Sequence, residues 1–168
     1  TSAVTFALAG SAFAEGCDKI VFSDVGWTDI TATTAATTLL LEALGYATET
    51  KLLSVPVTYA GLAEGDIDVF LGNWMPTMEA DIASYREAGT VDTVRTNLEG
   101  AKYTPATNEA GAALGVTDFA TIKDHADALE SKIYGIEAGN DGNRLILDMI
   151  NADQFGLSGF TLVESSEQ

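Results

Sequence analysis

The chain has 168 residues, and 8 Lys and Arg against 25 Asp and Glu leave a formal net charge of −17. That charge disfavours nucleic acid and anionic membrane surfaces as partners, because both require clustered positive charge. With 46% hydrophobic residues and 3 prolines, the composition is that of a packed protein rather than a disordered acidic one, and no apolar run is long enough for a membrane span.

In chain order, Thr1 to Ala14 carry no charge and close on Ala12-Phe13-Ala14, the small-x-small ending of a secretory signal peptide. The initiator Met and basic leader are missing, so this stretch reads as a signal remnant, with cleavage expected after Ala14 and a mature start at Glu15 outside the cytoplasmic membrane. Cys17 is the single cysteine, and an exported chain would be expected to supply its partner from sequence beyond Gln168.

Lys19 to Phe22 reads as a strand, and Thr28 or Asp29 as the cap of a helix ending at Leu44-Gly45 with Ile30, Thr33, Thr37, Leu40, Leu41 and Leu44 on one stripe. Thr48 to Leu53 is a second strand, Pro56 opens a second helix through Tyr59 and Leu62 to Gly65, and Ile67 to Leu71 is a third strand expected to be buried on both faces. This alternation implies a parallel, doubly wound α/β sheet.

Met78 to Ala88 continues as an amphipathic helix, after which Gly100 to Gly115 loses the helical period and reads as a crossover between lobes. Asp118 to Leu129 is then a capped helix, Lys132 to Glu137 a strand, Asp141 to Ile150 a helix and Phe160 to Val163 a strand, the start of a second α/β lobe left incomplete. The expected division is residues 1–14 as signal remnant, 15–103 as the first lobe and 104–168 as part of the second.

Ligands of open parallel sheets bind beyond the carboxyl ends of the strands. The segments that reach that edge are Val25-Gly26-Trp27-Thr28-Asp29, Gly72-Asn73-Trp74, Lys102-Tyr103-Thr104 and Gly139-Asn140-Asp141, and they hold both tryptophans of the chain. Trp27 and Trp74 are either packing residues at loop ends or ligand contacts. Aromatic faces beside a carboxylate suit a quaternary ammonium, whose methyl groups leave no hydrogen-bond donor. Three rings at about 2 kcal/mol each supply most of the ~8 kcal/mol of micromolar binding. Asp29 is either a helix cap or the acceptor of a ligand hydroxyl, and Asn140 either caps the following helix or presents its amide to the ligand.

Across Phe22-Ser23-Asp24-Val25-Gly26-Trp27-Thr28-Asp29, Tyr59 to Phe70, Asn73-Trp74-Met75-Pro76-Thr77 and Tyr134-Gly135-Ile136-Glu137 through Arg144-Leu145, the chain resembles the periplasmic substrate-binding proteins of ABC importers for choline and glycine betaine. The likeness is strongest to the choline-binding branch and runs from Cys17 to Gln168. It implies a two-lobed, type II periplasmic-binding-protein architecture that captures choline, or alternatively glycine betaine or proline betaine, for a membrane permease. By the same resemblance Trp27, Trp74 and Tyr103 are cage aromatics, and Asp29 and Asn140 are polar contacts to the alcohol end. The family adds a further aromatic from later in the second lobe, and no Trp follows Trp74 here. A monomer is expected, with no cofactor, no metal and no nucleic-acid partner.

An enzyme is the rival class. His125 is the single histidine and falls on an expected solvated helix, so neither a thiol dyad nor a zinc site can be assembled with Cys17. No Gly-x-Ser-x-Gly elbow occurs. Asp66-Ile67-Asp68 and Gly139 to Asn143 lack the full spacing of a calcium loop and read as a strand entrance and a helix cap. Between ligands, Asp29 favours choline, whose hydroxyl it can accept from, over a betaine, whose carboxylate it repels.

Overall fold

The computed structural model describes residues 19–166. The expected signal remnant, the start at Glu15 and Cys17 lie outside them. Two parallel α/β lobes follow in chain order. In the first, β1 (Lys19–Asp24), α1 (Thr28–Ala43), β2 (Ala47–Leu52), α2 (Val55–Glu64) and β3 (Val69–Phe70) build a parallel sheet in the order β2-β1-β3, followed by α3 (Glu79–Glu87). The second holds α4 (Glu109–Leu114), α5 (Phe119–Ile122), β4 (Lys132–Tyr134), α6 (Asp141–Asn151) and β5 (Thr161–Val163), with β4 and β5 paired in parallel.

Each lobe has its own core. In the first, Val25, Trp27, Ile30, Val55, Tyr59, Met78, Ile82 and Val91 pack together, with Phe70 and Trp74 against them. The second is built on Val116, Ile122, Leu157 and Phe160, with Ile133 and Met149 at its margin. Fully burying a side chain such as Leu157 or Val55 stabilises the fold by about 1.5–3 kcal/mol. Beneath β1 the buried Ser23 and Thr58 hydroxyls pair with each other at 2.6 Å.

Several local expectations change. Trp27, not Thr28 or Asp29, is the N-cap residue of α1, and no side chain caps that helix. Its buried face is Ile30 and Thr34, while Leu40 and Leu44 of the expected stripe are 68% and 75% exposed. The later turns of α1 are only partly covered, with Thr37, Thr38 and Leu41 half-buried. The third strand shortens to Val69–Phe70 and is half-buried, because it lies at a sheet edge and pairs with β1 alone.

The crossover contains α4, which Asn108 caps by accepting from the Gly111 amide at 2.9 Å. The helix expected over Asp118 to Leu129 begins with its cap, where Asp118 and Thr121 bond reciprocally, but stops at Ile122. A 3-10 turn over Lys123–His125 follows, and Glu130 and Ser131 take positive φ to bring the chain into β4. His125 is accordingly half-buried on that turn rather than solvated on a helix.

Candidate functional site

The carboxyl end of β1 sets the first wall. Asp24 turns its carboxylate back onto the chain, accepting from the Gly26 amide at 2.8 Å and the Thr31 hydroxyl at 3.0 Å. Gly26 takes a φ of 85°, a left-handed conformation that glycine adopts without strain. The turn delivers Trp27 into the core margin at 8% exposure. Trp74 comes from the loop after β3, where the Met78 amide and the Thr77 hydroxyl both donate to its carbonyl, at 3.0 and 2.8 Å. Beneath it Tyr59 donates to Asn73 at 2.7 Å, which anchors the loop to α2.

Tyr103 arrives from the crossover and tilts over Trp74, with ring centroids 5.8 Å apart at 33°. This separation suits a favourable aromatic pair. The Tyr103 hydroxyl donates to Asn140 Oδ1 at 3.2 Å. Burial, with the charges of Asp141 and Glu137, pushes the Tyr103 phenol up to about 12.

Asn140 is the N-cap of α6: its Oδ1 accepts from the Gly142 amide at 2.8 Å, and its Nδ2 donates to Glu137 Oε1 at 2.9 Å. The same Glu137 oxygen accepts the Trp27 indole N–H at 3.1 Å. One chain of contacts therefore runs from Trp27 through Glu137 and Asn140 to Tyr103 and Trp74. Four of the five residues picked from sequence, Trp27, Trp74, Tyr103 and Asn140, lie along it. Asp29 does not join it. That side chain is exposed in the first turn of α1, and its backbone carbonyl accepts from Thr33 at 2.8 Å.

Sequence reasoning missed Glu137, Asp141, Asn143 and Arg144 as site residues. Their signal was position, since all follow the carboxyl end of a parallel strand and Asp141 opens a helix. Asn143 is 4% exposed and braces the loop, accepting from the Ile136 amide at 2.8 Å and donating to the carbonyls of Ile136 and Glu137 at 3.0 and 3.1 Å.

Arg144 reaches the first lobe with a two-pronged pair to Asp81 at 3.0 and 2.9 Å and a bond to the Thr77 carbonyl at 3.2 Å. Asp141 is 1% exposed beside the Thr77 hydroxyl, which donates to the Trp74 carbonyl at 2.8 Å. Burial pushes its carboxyl up.

Aromatic faces with carboxylates behind them and a cap amide at one end can hold a small organic cation that also carries a polar group. Residues 18–168 match the substrate binding domain of ABC-type glycine betaine transport systems. Protein ORF1 of Chromohalobacter salexigens, itself uncharacterized, is 51% identical over 142 residues, covering 84% of this chain and 92% of that protein. A solved ABC-transporter choline binding protein in complex with choline aligns with a TM-score of 0.86 at 68% identity, over 90% of this chain and 53% of that one. The glycine betaine and L-proline-binding protein of Borrelia burgdorferi aligns with a TM-score of 0.64 at 26% identity, over 89% of this chain and 54% of that one. The chain spans about half the length of these solved structures. It belongs to the family of substrate-binding domains of ABC-type glycine betaine transport systems.

Proposed function

We propose that this chain captures choline outside the cytoplasmic membrane and presents it to the permease of an ABC importer. Trp27, Trp74 and Tyr103 would face the trimethylammonium group, and Asn140 and Asp29 would meet the hydroxyl. The two-lobe division at residues 103 and 104 belongs to the same reading and is supported by the separate cores. The substrate-binding proteins of ABC importers bind ligands without transforming them and work on the extracytoplasmic side.

The observation that carries the choice of choline is the sign of charge around the rings. Glu137 and Asp141 both act on Tyr103. The guanidinium that reaches this region, Arg144, is committed to Asp81 and the Thr77 carbonyl. A betaine carboxylate would meet the repulsion of Glu137 and Asp141, whereas the choline hydroxyl can donate to an acidic acceptor. The relative that was solved with choline supports the same choice.

Calorimetric titration of the longest product that the gene encodes, with choline and glycine betaine in parallel, tests the reading. Tighter binding of choline is expected. A preference for glycine betaine, or no choline binding, would overturn it.

A further inference from the structure

We propose that Glu137 is the positioning residue that holds Trp27 as a wall of the cage and makes its ring a better receptor for a cation. The inference rests on the choline reading and extends it to a residue that does not itself face the ligand. Glu137 Oε1 accepts the Trp27 indole N–H at 3.1 Å and the Asn140 amide at 2.9 Å. One oxygen therefore links an aromatic wall of the first lobe to the polar contact of the second.

Three physical consequences follow. The indole N–H is the single polar group of a Trp side chain, so its partner fixes the rotation of a ring that apolar packing alone would leave less constrained. A hydrogen bond to an ionised acceptor is shorter and stronger than a neutral one, and it shifts electron density from the N–H onto the ring. The ring faces become more negative where a quaternary ammonium would rest, and the half-buried carboxylate adds its own attraction through a partly desolvated path. Because Trp27 and Glu137 belong to different lobes, the bond forms only when the lobes are together, so completing the wall is coupled to closure.

The loop is built to hold Glu137 in place. Asn143 grips the backbone on both sides of the Ile136–Glu137 peptide through three hydrogen bonds. Gly135 leaves the room this needs, since a Cβ there would collide with the Asn143 amide oxygen.

The test compares wild type, Glu137→Gln and Glu137→Ala in the longest gene product, titrated with choline and with dimethylbutanol, the uncharged isostere in which carbon replaces the quaternary nitrogen. The tryptophan indole N–H resonances are followed by proton–nitrogen NMR, with Trp27→Phe identifying the Trp27 signal by its loss. Glu137→Gln keeps an acceptor oxygen and removes the charge, so choline affinity should fall about fivefold or more while dimethylbutanol affinity stays within about twofold. Glu137→Ala should weaken both ligands and move the Trp27 indole signal upfield.

Equal losses for both ligands in Glu137→Gln would reduce Glu137 to an inter-lobe strut and overturn the proposal, as would an unchanged choline affinity. If wild type binds no choline yet the indole signal shifts in Glu137→Ala, the ligand reading fails while the tie to Trp27 stands. An indole signal that does not move in Glu137→Ala removes the tie itself.

Discussion

A carboxylate at 1% exposure, as at Asp141, costs the folded state free energy whenever it is ionised, because burial strips its water. Its carboxyl is raised above the ordinary value of 3.8, chiefly by burial. The fold is therefore fully favoured below that ordinary value, and the advantage is lost as pH rises through the raised folded one. Asp141→Asn should accordingly be more stable than wild type near neutral pH by about 1–3 kcal/mol, with the gap closing near pH ~4 in urea melts. Equal stability at neutral pH would show that a partner satisfies the carboxylate. An acidic group retained at such cost beside Tyr103 fits a site that receives a cation.

Asp29 makes a separate residue-scale claim. Asp29→Asn should weaken choline binding and narrow its preference over glycine betaine, because one negative charge near the carboxylate's position is gone. Parallel titrations decide this, and a choline to betaine ratio that rises would free Asp29 of any role in selection. The aromatic members of the proposed cage could be picked from the sequence because both tryptophans fall at strand ends beside polar residues. Glu137 and Asp141 were not, since acidic residues are common in this chain and only the fold distinguishes a carboxylate bonded to an indole from one in solvent.

Among the elements, α6 carries most of the second-lobe chemistry. Asn140 caps it, Gly142 lies under the Tyr103 hydroxyl, Asn143 braces the preceding loop and Arg144 crosses to Asp81. A Cβ at Gly142 would overlap the Tyr103 hydroxyl. Gly142→Ala should therefore divorce stability from binding: helix propensity improves by up to ~1 kcal/mol, while choline affinity falls because Tyr103 is displaced. Thermal melts and titration of the same variant check it, and unchanged affinity would mean that Tyr103 forms no wall.

The helix start at Asp141 and the cap at Asn140 were readable from the Asn-Asp-Gly-Asn run, as was the Asp118 cap. The lengths of elements were less so. The apolar spacing from Ile122 through Ala126 to Leu129 suits continued α-helix as well as a 3-10 turn, and packing of Ile122 and Leu157 in the second core, rather than local pattern, decides where α5 stops. Similarly, the leucines of α1 carry a helical period whether or not anything covers them.

For the whole molecule, the lobes are joined by Trp27 to Glu137, Tyr103 to Asn140, and Arg144 to Asp81 with the Thr77 carbonyl. The parallel β-α-β order, and with it the edge at which these contacts gather, was legible from the alternation of elements. Which residues meet across the crevice was not, because contacts between Trp27 and Glu137 or Asp81 and Arg144 join distant parts of the chain with no local signature. Arg144→Ala should favour the open arrangement and weaken choline about tenfold, since a charge-assisted bidentate pair contributes roughly 1.5–3 kcal/mol when one partner is largely sheltered. Small-angle scattering would report a larger radius of gyration, and unchanged scattering and affinity would limit the pair to surface decoration.

The central claim is that a quaternary ammonium rests on the ring faces of Trp27, Trp74 and Tyr103. Its most direct measurement is the calorimetric dissociation constant for choline in wild type and in Trp74→Ala. A saturable isotherm that weakens by about 2 kcal/mol, some thirtyfold, on loss of the indole is the result expected. The same dissociation constant in both proteins would contradict the cage.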